Sequence, residues 1–163
     1  MLVFAALVVL VVGDFGSTFF YHVPQHLWFS LHLRTHHDNR RPYADHAVLS
    51  TDPWVLLDGL LGAIPYLAVA AGVWHLSPAG ALSGLALGQI HVWWRHTGEL
   101  GWRTPAPLRA FARSLALVLP EDHAHHHRNP GLEFGDIFRF YDAPARALMR
   151  TLRRKPLKRL QSI

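Results

Sequence analysis

Three stretches of this chain read almost without polar relief. Residues 1–20 hold one charged residue, Asp14; residues 54–74 hold one, Asp58; residues 79–90 hold none. A helix needs ~20 apolar residues to cross ~30 Å of hydrocarbon. Each run approaches that length, the third if it continues through the interfacial aromatics Trp93 and Trp94. The pattern predicts three membrane helices, the second and third joined as a hairpin by Ser77-Pro78-Ala79-Gly80. No basic segment precedes the first run, and it leads straight into His22, so it is expected to be a retained helix and not a cleaved leader.

Between and beyond these runs the polar positions predict the remaining elements. Helix one is expected over residues 2–21, with a kink or fresh start between His22 and His26, because Pro24 cannot bond the Phe20 carbonyl. Residues 38–53, with Asp38, Asn39, Pro42 and Pro53, read as a loop over a site. Gly80, Ala81, Ser83, Gly84, Ala86 and Gly88 form a small-residue stripe suited to close helix packing. Residues 108–119 mix apolar and basic positions as an interfacial helix does. In the tail, residues 143–163, Leu148, Met149, Leu152, Leu157 and Leu160 alternate with Arg146, Arg150, Arg153, Arg154, Lys155, Lys158 and Arg159, which predicts a basic membrane-surface helix. The fold class implied is all-α: one domain over residues 1–163, an integral membrane helical bundle with about three spans and amphipathic interfacial helices.

Charge adds an orientation. The formal net charge is +5, yet no Lys or Arg precedes Arg34, and the basic residues fall in residues 34–41, 95–113 and 128–159. By the positive-inside rule, residues 21–53 and 95–163 lie in the cytoplasm, and the N-terminus and the 75–80 turn lie outside. The bases follow membrane topology, so they do not form a nucleic-acid-binding face. Cysteine is absent, which excludes disulfides and thiolate ligands.

The chemistry is in histidine. Of 13, ten fall into four clusters: His22 and His26; His32, His36 and His37; His91 and His96; His123, His126 and His127. Residues three or four apart share a helix face, so most clusters can aim several imidazoles at one point. His91 and His96, five apart, do so only if the helix unwinds near His96 or a π-bulge realigns them. Ten imidazoles exceed what one ion uses, so two metals on the cytoplasmic side are expected. All-nitrogen donors suit iron, copper or zinc. Iron is preferred, because two ferrous ions can activate O₂ beside a hydrocarbon chain that the membrane supplies.

These residues resemble the fatty acid hydroxylase/sterol desaturase superfamily of membrane di-iron oxygenases. The motifs that carry the likeness are His22-Val-Pro-Gln-His26, His32-Leu-Arg-Thr-His36-His37, His91-Val-Trp-Trp-Arg-His96 and His123-Ala-His-His126-His127, with a closing segment from Phe134 to Asp142. It departs from the pattern in three residues before His36-His37 where two are usual, in Val23 where an arginine is usual, and in the long spacing of the third pair. The likeness implies all ten clustered histidines as metal ligands, nine of them catalytic (all but His32), and Asp14 as a carboxylate supporting a ligand from outside the metal sphere. Asp14 is expected among the helices, bonded to Gln89 or His91. His125 is expected to turn away by helix phase, His75 to lie at the opposite face, and His46 to be a loop histidine, although a desaturase reading would use it.

The implied activity is lipid or fatty-acyl hydroxylation with two Fe ions and O₂, zinc being a common occupant of purified nitrogen sites. No flavin, haem or iron–sulfur motif is present, so electrons must come from an external ferredoxin or cytochrome. Alternatives on the same site are a plasmanyl-type or acyl lipid desaturase or a carotenoid hydroxylase. A non-enzymatic membrane metal-binding protein is the competing class, although transport would place ligands at mid-membrane.

Overall fold

The computed structural model describes residues 1–38 and 40–153. In chain order its helices are α1 (Leu2–Gly16), α2 (Val23–Leu27), α3 (Leu31–Thr35), α4 (Tyr43–His46), α5 (Pro53–Val73), α6 (Pro78–Arg95), α7 (Ala106–Ser114), α8 (Pro120–Arg128) and α9 (Asp142–Arg153). A π turn occupies Ser17–His22, and 3₁₀ turns occupy His96–Leu100 and Arg139–Tyr141. Among the described residues the only pairing outside helices is an isolated antiparallel bridge, Leu117 with Phe138. Asn39 and the end of the basic tail, including Arg154, Lys155, Leu157, Lys158, Arg159 and Leu160, lie outside the described residues.

At Pro24 the chain does not leave the helix, but its α segment restarts: a π turn ends at His22 and α2 begins at Val23. The helical run is continuous over Leu2–Leu27, because the chain widens instead of stopping. Pro24 has no N–H for the Phe20 carbonyl, and in the π turn before it the Val23 N–H reaches back five residues to the Thr18 carbonyl. This shifts the phase of His22 and His26 relative to α1.

α5 and α6 start on local signals. The Asp52 carboxylate accepts the Trp54 N–H at 2.9 Å and the Ser77 hydroxyl accepts the Gly80 N–H at 3.1 Å, with Pro53 and Pro78 at the first helical positions. α1 packs against both arms. Ala5 and Val9 of α1, Ala70 and Val73 of α5 and Ala81 of α6 make one buried cluster. The small-residue stripe sets the approach of α6: a Cβ on Gly84 would stand 2.7 Å from the Val9 Cβ.

Outward, Leu2, Val3, Phe4 and Leu7 of α1, Leu56, Leu60 and Ile64 of α5, and Leu82, Leu87 and Ile90 of α6 are exposed. A belt of that extent belongs in lipid. Leu2–Leu27 and Pro53–Val73 are long and apolar enough to cross a membrane. α6, the third expected span, is a helix of 18 residues but is less apolar, because glycines and Gln89, His91 and Arg95 replace larger aliphatics.

Past the hairpin the chain returns under the helix ends. α7 ends at Ser114, earlier than the expected 119. There the strand-like residues after Ala116 (φ 55°) leave to pair with the closing segment, Val118 N–H to the Ile137 carbonyl and Arg139 N–H to the Ala116 carbonyl, both at 2.8 Å. α9 turns Ala145 and Met149 inward, where they bury against Val23 and Phe134. This lower layer closes the ends of α2 and α6 at the side opposite the α5–α6 turn, where His75 is exposed.

Candidate metal centre

Five short elements deliver the histidines to one place: the π turn, α2, α3 with the two residues that follow it, the start of the 3₁₀ turn at His96, and α8. They form two groups in which one ligand atom from each residue lies within 4.8 Å of all the others: His22, His26, His32, His37 and His126; and His36, His96, His123 and His127. The nitrogens point at each other. Nε2 of His22 is 2.9 Å from Nε2 of His126; Nε2 of His123 is 2.8 Å from that of His96 and 3.0 Å from that of His127; Nε2 of His36 is 3.2 Å from that of His96. Converging lone pairs of neutral imidazoles repel unless a cation lies between them. Nε2 of His26 and His32 and both nitrogens of His37 are buried without a partner. Orphaned donors of one chemical type around two points are what two nitrogen-ligated metals require.

The opposite ring edges explain why Nε2 is presented. The His22 Nδ1–H donates to the Phe134 carbonyl at 2.9 Å, that of His96 to the Val92 carbonyl at 2.7 Å, and that of His126 to the Leu132 carbonyl. His32 Nδ1 bonds Asp58 at 3.1 Å, and His127 Nδ1 lies 3.5 Å from Glu99. The three carbonyls and Asp58 fix the tautomer and turn the ring, as supporting groups do around metal ligands, whereas His127 Nδ1 has no hydrogen-bond partner among the described residues. Burial, reinforced by neighbouring imidazoles and, for His96 and His123, by Arg95, holds His36, His96 and His123 well below the ordinary histidine value, and burial brings His126 to about 4. They are neutral, ligand-competent rings at neutral pH.

The carbonyls of Leu132 and Phe134 belong to a loop with little regular structure, and Asp14 holds it. Asp14 is fully buried, and its carboxylate accepts the backbone N–H groups of Asp136, Ile137 and Phe138 at 3.0, 3.1 and 2.7 Å. It therefore supports His22 and His126 through the loop. The expected partners Gln89 and His91 are not used, because the closing segment comes up to the level of Asp14. Asp136, so placed, accepts from Arg95 (2.8 Å) and from the Ser17 hydroxyl (2.6 Å). Burial opposes its charge, but Arg95 and Ser17 hold its carboxyl below the usual value.

Two histidines are placed differently from the expectation. His91 is in neither group: its Nε2 bonds the Val118 carbonyl at 3.1 Å and its ring packs on Trp94. α6 remains α-helical through Arg95, so side chains five apart point about 140° apart, and the 3₁₀ turn begins too late to realign them. His46 is fully buried and touches the second group. His125 turns to Glu133 at 3.1 Å. Arg95 and Asp136 lie within motif stretches but lack the histidine chemistry that marks a ligand; Asp58 is signalled by standing alone in an apolar run, and Glu99 has no sequence signal.

A cavity of about 440 Å³ reaches the centre from between α5 and α6. His32 and His36 are at its inner wall, Ser17, Tyr21 and Asp58 beside them, and Gly59, Gly62, Leu67, Leu85 and Gly88 along its length. Tyr21 hydrogen-bonds Asp58 through its hydroxyl, closing that wall.

A family model described as fatty acid hydroxylase matches residues 6–146. Neither a curated protein nor a solved structure matches the chain.

Proposed function

The chain belongs to the fatty acid hydroxylase family, and from that membership we propose that it hydroxylates the hydrocarbon chain of a membrane lipid with O₂ and two electrons from an external carrier. One oxygen atom enters a C–H bond and the other leaves as water with two protons. The observation that carries this reading is the contact between two histidine groups and an apolar cavity opening among exposed, lipid-compatible helices. His22, His26, His32, His37 and His126 would hold one iron, and His36, His96, His123 and His127 the other. Iron bound there supplies the O₂ activation that an unreactive C–H bond needs.

The protein's own side chains do the rest. Apolar walls on α5 and α6 align an extended chain and exclude water. Gly59, Gly62 and Gly88 leave the width for it. Asp58 receives the His32 Nδ1–H and the Tyr21 hydroxyl, holding the inner wall against movement as the chain enters.

The centre lies at the helix ends that carry the arginine-bearing segments, which supports a cytoplasmic site with α6 as the third span. Arg103, Arg109, Arg113 and Arg128 line, with Glu121 and Ala124 of α8, a depression of about 560 Å³ next to the helix that carries His123 and His127; Arg109 and Arg113 pair there with Glu121 and Asp122. It is the surface for an acidic electron carrier.

The test is turnover of iron-loaded protein in lipid vesicles with reduced ferredoxin and isotopically labelled O₂. A hydroxylated lipid carrying the label supports the reading. An alkene without label makes the protein a desaturase, and no oxidised lipid removes the function.

A further inference from the structure

The two histidine groups are unequal, five against four. His46 stands beside the smaller one. Its ring centroid is 5.1 Å from that of His127, 5.6 Å from His36 and 6.0 Å from His96, while ring separations inside the group run from 4.4 to 5.9 Å. His46 is spaced like a member. We propose that His46, and not His91, completes the second metal's ligand set, binding through Nδ1.

The tautomer argues for that atom. His46 Nε2 bonds the Arg41 carbonyl at 3.2 Å, so it carries the hydrogen and Nδ1 keeps the lone pair. That lone pair is fully buried and without a partner, a state that is costly unless something binds there. His46, Glu99 and His127 each place one ligand atom within 4.8 Å of the others, a set joined to the four-histidine group through His127.

The segment that carries His46 is held rigidly. The Arg41 guanidinium bridges Asp45 at 3.0 Å and Asp52 at 2.9 Å, tying both ends of the loop around α4. Two residues on, Val48 adopts φ 56°, a strained conformation for a β-branched residue. Such a loop offers a ring in a set position. His91 shares the tautomer, with Nε2 on the Val118 carbonyl and Nδ1 buried without a partner, but it stands apart from the cluster: its ring neighbour is Trp94, and among the described residues it joins no set of converging ligand atoms.

The inference rests on the two-metal reading, and the experiment separates them. Metal content of purified protein is measured for the unaltered chain, His46→Ala and His91→Ala, with thermal unfolding as a check on folding. Expected are about two metals in the unaltered chain and His91→Ala, and about one in His46→Ala. Cobalt-loaded His46→Ala is expected to show shifted ligand-field absorption, and His46→Gly to regain metal when imidazole is supplied. Two metals in a folded His46→Ala with unshifted cobalt absorption, or loss of metal in His91→Ala alone, overturns the assignment of His46. An unaltered chain without metal overturns the two-metal reading itself. If His46→Ala does not fold, the cobalt spectrum of His46→Gln, in which the ring is replaced by an amide, decides: an unchanged spectrum overturns the assignment.

Discussion

The Asp14 carboxylate and the Phe138 backbone N–H meet at 2.7 Å across 124 positions of sequence. With the N–H groups of Asp136 and Ile137 also on that carboxylate, one side chain in the first helix fixes the loop whose carbonyls orient His22 and His126. The one ionisable side chain of the first apolar run is thus a strut for the histidine cluster.

Asp14→Asn replaces an oxygen acceptor by an amide donor facing backbone donors. It is expected to cost about 1–3 kcal/mol of stability and to weaken metal retention by ~10–100-fold. Thermal unfolding and titration with a chelator measure the two. An unaffected Asp14→Ala protein would remove the strut role.

Substitution of single histidines should separate the groups from their neighbours. His26→Ala, His36→Ala and His126→Ala are expected to abolish turnover and reduce metal content. His125→Ala, which loses only its bond to the partly exposed Glu133, and His75→Ala at the far turn are expected to retain most of both. Elemental analysis with a lipid product assay checks each.

Acid should destabilise the metal-free protein. His36, His96, His123 and His126 titrate lower when folded than the ordinary 6.5, so below that value the unfolded chain binds more protons. Their contribution is fully present above pH 6.5 and is lost as pH falls toward about 4, where His126 titrates. Bound metal, which competes with those protons, should move the loss to lower pH. Unfolding midpoints across pH, with and without metal, test this; a midpoint that is flat from pH 7 to about 4 contradicts it.

Gly88→Leu is expected to fold, since a Cβ there meets only Leu10 and Ile137 at 3.7 and 3.9 Å. Its added bulk enters the cavity. Turnover of long chains should fall relative to short ones by on the order of 10–100-fold. Equal loss for all chain lengths would separate this cavity from substrate selection.

Arg103→Glu with Arg128→Glu should raise the KM for an acidic ferredoxin several-fold and flatten its dependence on salt, with metal content unchanged. Steady-state kinetics at low and moderate ionic strength read this, and an unaltered salt profile places donor docking elsewhere.

Local physics was legible in the chain. Apolar runs predict helices because burial and hydrogen bonding in lipid allow little else, and Ser77-Pro78-Ala79-Gly80 marks the turn between two of them. Histidines at spacings of three and four announced convergent ligands for the same reason of helix phase. Which histidines join which group is set by elements far apart in sequence. His126 sits with His22 and His127 with His36, though they are adjacent on α8, and His91 is turned away because α6 stays regular. His46 packs against His127 from a loop that Arg41 ties to Asp45 and Asp52. Asp14 finds its partners only when the closing segment docks beside the first helix. The runs and spacings act over one or two helical turns and can be read from neighbours in the chain, whereas these assignments depend on packing between segments up to 124 positions apart, a distance over which sequence pattern carries no phase.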